Sequence, residues 1–413
     1  MDRPVCEPFP DSKLLGMVRA IDGIRDAVAI IHGKSCCHAD TLLFKILTGN
    51  HNDVRVTGSG IRTQDISIGG YRKLPIAIRS AYEEFKPSLI AVLVTSFTAM
   101  MGDDVDGIID GIKEEIPCRI CSFFCPGFLG DLASGYEEFL DFLFEFVEEN
   151  RPENNLINIV GYKKDDPNAE ADLEEIKRIL SLDGVKINVV FLDCLFNEVK
   201  FATKASLNVL ISEEGRNFCM KMKERFGTPF VRVRYPFGIN GTVSFLESIE
   251  RGLNVKFDRD IIEREKGVIK ERLQKIYAYL EGIYGLPVAV IGDGSRAVDL
   301  CSFLSEEFGF EIRLLCIKGG KIREEELSKL DAEDVVIEKD QFQVEKLIRS
   351  KDIAILFGSS LEKRICRELN IPLFRIFYPV LDQIFITQRP YLGFAGTLNL
   401  VEEVVNAIIG EAR

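Results

Sequence analysis

The chain has little of what marks a membrane protein, a secreted disulfide scaffold or a nucleic-acid binder. None of its apolar runs approaches the ~20 residues that a bilayer span requires. Its start, MDRPVCEPFP, has no basic stretch followed by an apolar core, so no secretory signal is expected. The expected compartment is the reducing cytoplasm, where cysteines stay free. Positive charge is also short, because 52 Lys and Arg face 65 Asp and Glu for a formal net charge of −13. That balance argues against nucleic acid or an anionic membrane face, since phosphate contacts need clustered cations. Histidine is scarce: the chain holds only His32, His38 and His51. Their spacing fits no zinc site, and no second cysteine pair completes one.

What is present is ordinary for a globular protein, 46% hydrophobic and 28% charged residues over 413 positions. That length exceeds one core, so two or three domains are expected. Short apolar runs alternate with amphipathic stretches, the mark of βαβ units and parallel sheets. Strands are predicted at 27–33, 89–96, 118–124, 156–162, 186–192, 207–212, 229–235, 287–294, 311–319, 353–360 and 373–379. Helical patterns include YEEFLDFLFEFVEENR, LEEIKRILS and a long polar-faced run over 258–283 that reads as a bridge between lobes. Polar breaks at RPENN and YGLPV suggest three Rossmann-like lobes, 1–153, 154–283 and 284–413, each a mostly parallel sheet flanked by helices.

Two glycine motifs invite a nucleotide reading, and neither sustains it. Gly33-Lys34-Ser35 would need a glycine at position 28 to form a phosphate loop, but Val28 stands there inside an apolar strand. No ATP site is therefore expected in this chain. GDGSRA (292–297) matches the dinucleotide fingerprint, yet the next strand ends in CIKGG without the acidic ribose-binding residue. The turn then serves to pack helix on strand.

Eleven cysteines remain. Cys301 and Cys316 lie in apolar runs and read as small buried hydrophobes, with Cys194, Cys219 and Cys366 beside them. In GKSCCHAD, Cys36 and Cys37 stand where a strand gives way to a helix, near backbone donors and a positive dipole end that stabilise thiolate. Cys6 lies in a second turn, just before a helix predicted to open at Ser12. Thiolates from separate turns suit an iron–sulfur cluster. In CRICSFFC, strand alternation points Cys118 and Cys121 to opposite faces and into the core. Cys125 opens the following turn, where a ligand or pocket residue can stand.

Taken together, these segments resemble the nitrogenase component 1 family over almost the whole chain. The likeness lies in VCEPFP with the helix, strand and HGKSCC turn after it, and in ISIGGYRKLP with its strand and Gly102-Asp103-Asp104. It continues through CPGFLGD, YPFGINGTVSFL (most like the β-type subunits) and the closing segment FYPVLDQIFITQRPYLGFAGTLNL. The resemblance implies an iron–sulfur cluster at a subunit interface, [4Fe-4S] or P-cluster-like, fed by a docking ATP-dependent iron–sulfur reductase. It further implies that Cys6 and Cys37 occupy the first two cluster-cysteine positions and would bind metal. The third family cysteine is Ser96 here. Ser96 oxygen, Cys36, Cys125 or a second subunit would then complete the set.

The molybdenum–iron α-type cofactor anchor corresponds to Ser212, and no histidine follows His51, so that metallocofactor is not expected in this chain. The resemblance thus implies a reductase component, as a homodimer or as a heterotetramer with an α-like paralogue, acting on a tetrapyrrole-like or other unsaturated substrate. The alternative is a non-catalytic β-type partner or a scaffold for metallocofactor assembly. Candidate proton donors and orienting groups are His38, Arg62, Asp65 and Arg389. Each taken singly also reads as an ordinary surface or structural polar group. Arg389 suits carboxylate recognition best, being an Arg beside an apolar-aromatic loop.

Overall fold

The computed structural model describes residues 11–47, 55–65 and 69–411. Three sheets form the frame. The first has the order β2-β1-β3-β4, with β1 Ala27–His32, β2 Val56–Gly58, β3 Leu89–Val94 and β4 Arg119–Phe124. The second has the order β6-β5-β7-β8, with β5 Glu153–Val160, β6 Lys186–Val190, β7 Ala205–Leu210 and β8 Phe230–Arg232. The third has the order β11-β10-β9-β12-β13, with β9 Pro287–Asp293, β10 Glu311–Gly319, β11 Val335–Ile337, β12 Ile355–Gly358 and β13 Leu373–Arg375. Every pairing with a defined register is parallel.

The composition of the central strands accounts for this. β1 (AVAIIH) and β3 (LIAVLV) are buried at every position, which requires a parallel sheet covered by helices on both faces. All eleven predicted strands are present, and two short edge strands, β2 and β11, join them. The chain divides into two compact units. One takes the described part of Pro10–Asn150 with Val189–Thr203 and carries the first sheet; the other takes Arg151–Asn188 and Lys204 onward and carries the remaining two.

In the first unit, helix Lys13–Asp22 opens as expected at Ser12, whose hydroxyl accepts the Leu15 N–H at 3.3 Å. It crosses helix Leu132–Phe144, which starts at an Asp131/Ser134 capping box. Glycines permit the crossing, since a Cβ on Gly16 would sit 2.1 Å from the Leu132 carbonyl oxygen. In the second unit the long run over 258–283 is two helices rather than one, Arg259–Gln274 and Tyr277–Ile283. The last turn of the first tightens to i−3 bonds, Lys275 N–H to Arg272 and Ile276 N–H to Leu273, which ends it. The C-terminal helix Gly393–Glu411 packs back on helices Ala169–Leu182, Gly238–Leu253 and Arg259–Gln274.

Two glycines set opposite expectations for stability. Gly16→Ala forces a methyl against backbone that cannot yield, and should lower unfolding free energy by about 1–3 kcal/mol or more. Gly267→Ala, mid-helix with nothing within 4 Å of the added carbon, should raise it by roughly 0.5–1 kcal/mol. Urea unfolding of both variants checks the pair.

Candidate functional site

In the first sheet the connection from β1 runs to β2 on one side, while the chain leaving β3 runs to β4 on the other. The carboxyl ends of β1 and β3 therefore flank a topological switch point, where open α/β sheets leave a crevice for ligands. Gly33 continues β1 against the end of β3, and a Cβ there would lie 2.4 Å from the Thr95 hydroxyl oxygen. Helix Ser35–Leu47 then starts at this edge and carries both adjacent cysteines in its first turn. Cys36 is exposed and Cys37 half-buried. The Cys37 thiol is pushed up from its ordinary value by burial and by the Cys36 thiol hydrogen-bonded to it, against a lowering backbone hydrogen bond at Lys34. A metal ion would displace the proton of the Cys37 thiol on binding.

Ser96 opens helix Ser96–Met101 directly after β3, at the same edge. Its hydroxyl oxygen accepts the Gly127 N–H at 2.7 Å, tying the end of β3 to the turn after β4. Cys125 starts that turn and is completely buried. Burial pushes its thiol up to about 12, opposed by nearby Lys13. Lys13 itself donates to the Phe124 carbonyl and pairs with Glu138 at 2.5 Å. Cys118 and Cys121 are partly buried along β4, with the Cys118 thiol raised to about 11 by burial. Cys6 and His51 lie outside the described residues. Among the described residues no three His, Cys, Asp or Glu side chains gather as a metal site.

The polar candidates separate in position. His38 donates from Nε2 to the Val56 carbonyl of the edge strand at 3.2 Å. Arg62 and Asp65 form a tight turn in which the Asp65 carboxylate takes the Arg62 N–H and the Lys73 ammonium, both at 2.7 Å. Lys34 bridges to Ile61, which brings this turn beside the start of the cysteine helix. Arg389 lies in the second unit, half exposed, 3.7 Å from Glu403.

Sequence reasoning overlooked His32 as an organising group. It is fully buried, with Nδ1 2.9 Å from the Ser59 hydroxyl and Nε2 3.2 Å from Asp103. Asp103 also accepts the Gly70 N–H at 3.0 Å, and Thr95 and Thr98 both donate to the His32 carbonyl. Three loops thereby hang from one imidazole beneath the cysteine edge. The signal was legible as a histidine closing an otherwise wholly apolar strand, just before a glycine.

The second unit fills its own crevice. Lys163, after β5, pairs with Glu214, after β7, at 3.1 Å. Arg296, in the GDGSRA turn after β9, pairs with Asp166 at 2.7 Å and lies over the rings of Tyr235 and Phe237. Asp172 accepts the backbone N–H groups of Tyr391 and Leu392, and burial raises its carboxyl to about 7 despite Arg296. Ser212 donates its hydroxyl to the Gly161 carbonyl at 2.9 Å. Gly294, at φ 42 and with a would-be Cβ 2.5 Å from the Lys321 carbonyl oxygen, explains the fingerprint glycine as packing.

Three parallel α/β sheets, with a thiol pair at one switch point and ion pairs at the others, define a Rossmann-like α/β protein. The chain belongs to the nitrogenase component 1 type oxidoreductases, matching that family over residues 12–409. It is 23% identical to the nitrogenase molybdenum-iron protein beta chain of Methanococcus maripaludis, across 98% of this chain and 94% of the relative. It is 26% identical to the molybdenum-iron protein alpha chain of Methanothermobacter marburgensis, across 93% and 84%. Its fold superposes on a solved structure titled "Nitrogenase Cp1 at pH 6.5" with TM-score 0.84 and 20% identity, over all of this chain and 95% of that one.

The buried His32 sets a pH expectation. Desolvation lowers its folded-state pKa below 6.5, outweighing Asp103. The unfolded chain thus binds the proton more readily, and the stability that rests on neutral His32 is present above pH 6.5 and lost as pH falls below it. Between wild type and His32→Gln, the stability difference should shrink on acidification below that point by up to about 1.4 kcal/mol per pH unit. Urea titrations from neutral to mildly acid pH measure it, and a constant difference would contradict it.

Proposed function

We propose that this chain is a component 1 subunit of a nitrogenase-like reductase, receiving single electrons through an interface iron–sulfur cluster. Cys37 and Cys6 would hold the cluster, with Ser96, Cys36 and Cys125 as the further donors near the edge. The observation that carries the reading is the half-exposed thiol pair at the β1/β3 switch point. Soft thiolates suit iron, and the cluster when bound supplies one-electron storage. Both cysteines stand in the first turn of one helix, near the positive end of its dipole, which suits anionic sulfur.

Elements leaving this edge present apolar side chains to solvent, including Leu43, Met100 and Phe128. Such a surface around the thiols supports an interface with a second copy or an α-like paralogue that would share the cluster. ATP would be hydrolysed by a docking iron–sulfur reductase, since Val28 denies this chain a phosphate loop. The cytoplasm is the compartment that suits free cysteines. A division into lobes 1–153, 154–283 and 284–413 would give each sheet its own lobe.

The substrate would be tetrapyrrole-like or another unsaturated molecule rather than one reduced on a metallocofactor in this chain. Ser212 is bound to backbone, and Arg296 and Lys163 already hold carboxylates where a cofactor would sit. His38, Arg62, Asp65 and Arg389 are the groups proposed to move protons or orient substrate. The same filled crevice favours a second reading, a non-catalytic β-type partner or an assembly scaffold. Turnover with a reductase and ATP supports the first; a cluster held only to be handed on supports the second.

Anaerobic isolation tests the cluster itself. Cys37→Ala should lose most of the iron–sulfur absorbance, whereas Cys316→Ala, on β10 and packed in the core, should keep it. Equal iron in both variants would overturn the assignment.

A further inference from the structure

We propose that the C-terminal part of the chain builds a site for a small organic anion, a carboxylate or phosphate head on a hydrogen-bonding body. The site is a cavity of about 840 Å³ lined by helix Lys363–Leu369, the edge strand β13 and the C-terminal helix Gly393–Glu411. It lies wholly within residues 363–407, apart from the thiol edge, and does not depend on the cluster reading.

The cavity is positive in an acidic chain. Lys363, Arg367 and Arg375 line it against Asp382 and Glu403, an excess of cations where the whole sequence has a formal net charge of −13. Such a recess concentrates anions against the field of the rest of the protein. Part of its charge is fixed. Asp382 accepts from Nε and Nη2 of Arg375, both at 2.7 Å, from the Lys363 ammonium at 2.7 Å and from the Ser360 hydroxyl. Burial opposes it, yet these bonds hold the Asp382 carboxyl well below the usual carboxylate range, so the clamp stays ionised at neutral pH. The Arg375 guanidinium also donates to the Leu373 carbonyl at 3.3 Å, which shields the outer edge of β13 from a further strand. A small molecule, not an added chain, therefore suits the cavity.

The rest of the charge is free. On the same helix Lys363 pairs with Asp382, and Arg364 with Glu345 and Glu368, whereas Arg367 has no partner among the described residues. Glu403 does not neutralise it, being held by the Tyr391 hydroxyl at 2.8 Å and Arg389 at 3.7 Å. Arg367 and Lys363 stand four residues apart on one helix face, so an unused planar fork lies beside an ammonium. That donor pattern takes a carboxylate or a phosphate. The amides of Asn370, Gln383 and Asn406 line the same space without partners, ready for polar groups on the ligand body. Phe374 and Tyr391, ring centroids 5.7 Å apart, give it an apolar wall. The volume lies within the ~300–1,000 Å³ of small-molecule sites. A bare inorganic ion, not much larger than the ~30 Å³ of a water molecule, would leave most of it to solvent.

The test is isothermal titration calorimetry of the full-length protein in its native assembly at low salt, with AMP, citrate and inorganic phosphate as probes. Wild type is compared with Arg367→Ala and with Arg264→Ala, which removes the same charge from an exposed position on helix Arg259–Gln274 outside the cavity. AMP binding would identify a phosphate ester as the ligand, and citrate binding a carboxylate. Either affinity should fall by about 10-fold or more in Arg367→Ala, as for a lost charge-assisted hydrogen bond, and stay at the wild-type value in Arg264→Ala. Amide hydrogen exchange should slow on binding over 363–375 and 400–407. Failure of both organic anions to bind, or inorganic phosphate binding as tightly as they do, would overturn the inference. Equal weakening in the two arginine variants, or protection confined to other segments, would overturn it too. Protein isolated without iron that still binds the anion would sink the cluster reading and leave this site standing.

Discussion

The arrangement at the first sheet depends on one buried imidazole being satisfied from all sides. His32 ends β1 with no solvent contact, and its two ring nitrogens meet Ser59 from the loop after β2 and Asp103 from the turn after helix Ser96–Met101. Asp103 passes the constraint on to Gly70, where a Cβ would collide with both the carboxylate and the ring. A buried polar group left unpaired costs roughly 1–3 kcal/mol. Satisfying His32 therefore selects one mutual placement of loops that the sheet alone leaves free. The helix that carries Cys36 and Cys37 begins three residues later and inherits that precision.

The two units use the same topology to opposite ends. At the β1/β3 switch point the strand ends are followed by small groups, Gly33, Ser35, Thr95 and Ser96, and by thiols that remain reachable. At the ends of β5, β7 and β9 stand Lys163, Glu214 and Arg296, all paired, with Glu214 and Arg296 buried and Lys163 partly so. Taking such charges out of water costs several kcal/mol per ion, offset only by good geometry and further hydrogen bonds. Around Arg296 only Asp166 supplies a hydrogen bond, with the rings of Tyr235 and Phe237 against the guanidinium and Asp172 3.9 Å away, so Nε and Nη2 are left without hydrogen-bond partners. The result is a set of strand ends occupied by paired side chains of the chain itself.

Apolar runs made the frame legible. Eleven strands could be read from segments such as LIAVLVTS because a strand buried on both faces must be apolar throughout. β2 (VTG) and β11 (VVI) escaped, since a three-residue edge strand is fixed by its neighbour's open hydrogen bonds and not by its composition. The 258–283 helix kept its period across a break that lies in backbone geometry at Ile276, where φ −116 and ψ 17 leave the helical region without any glycine or proline to announce it. In the site, the strand-to-helix placement of Cys36 and Cys37 followed from the pattern. The roles of His32 and Arg296 did not, because each is defined by partners 27 to 130 positions away in the chain.

The state of the thiols bears on which cysteine chemistry the edge can perform. A nucleophilic or exchange-active cysteine needs thiolate near neutral pH, so its pKa must fall. Here burial and the neighbouring Cys36 sulfur move Cys37 the other way, and the backbone hydrogen bond at Lys34 does not reverse it. Cys37 is thus poorly suited to attack a substrate by itself. A metal centre escapes this difficulty, since coordination replaces the proton with a far stronger positive charge and draws both sulfurs into the anionic form. The neighbouring sulfur that helps raise Cys37 would then become an advantage, because two adjacent thiolates can share one cationic partner. The raised Cys37 pKa and its place at the switch point support the proposed ligand role over a nucleophilic one.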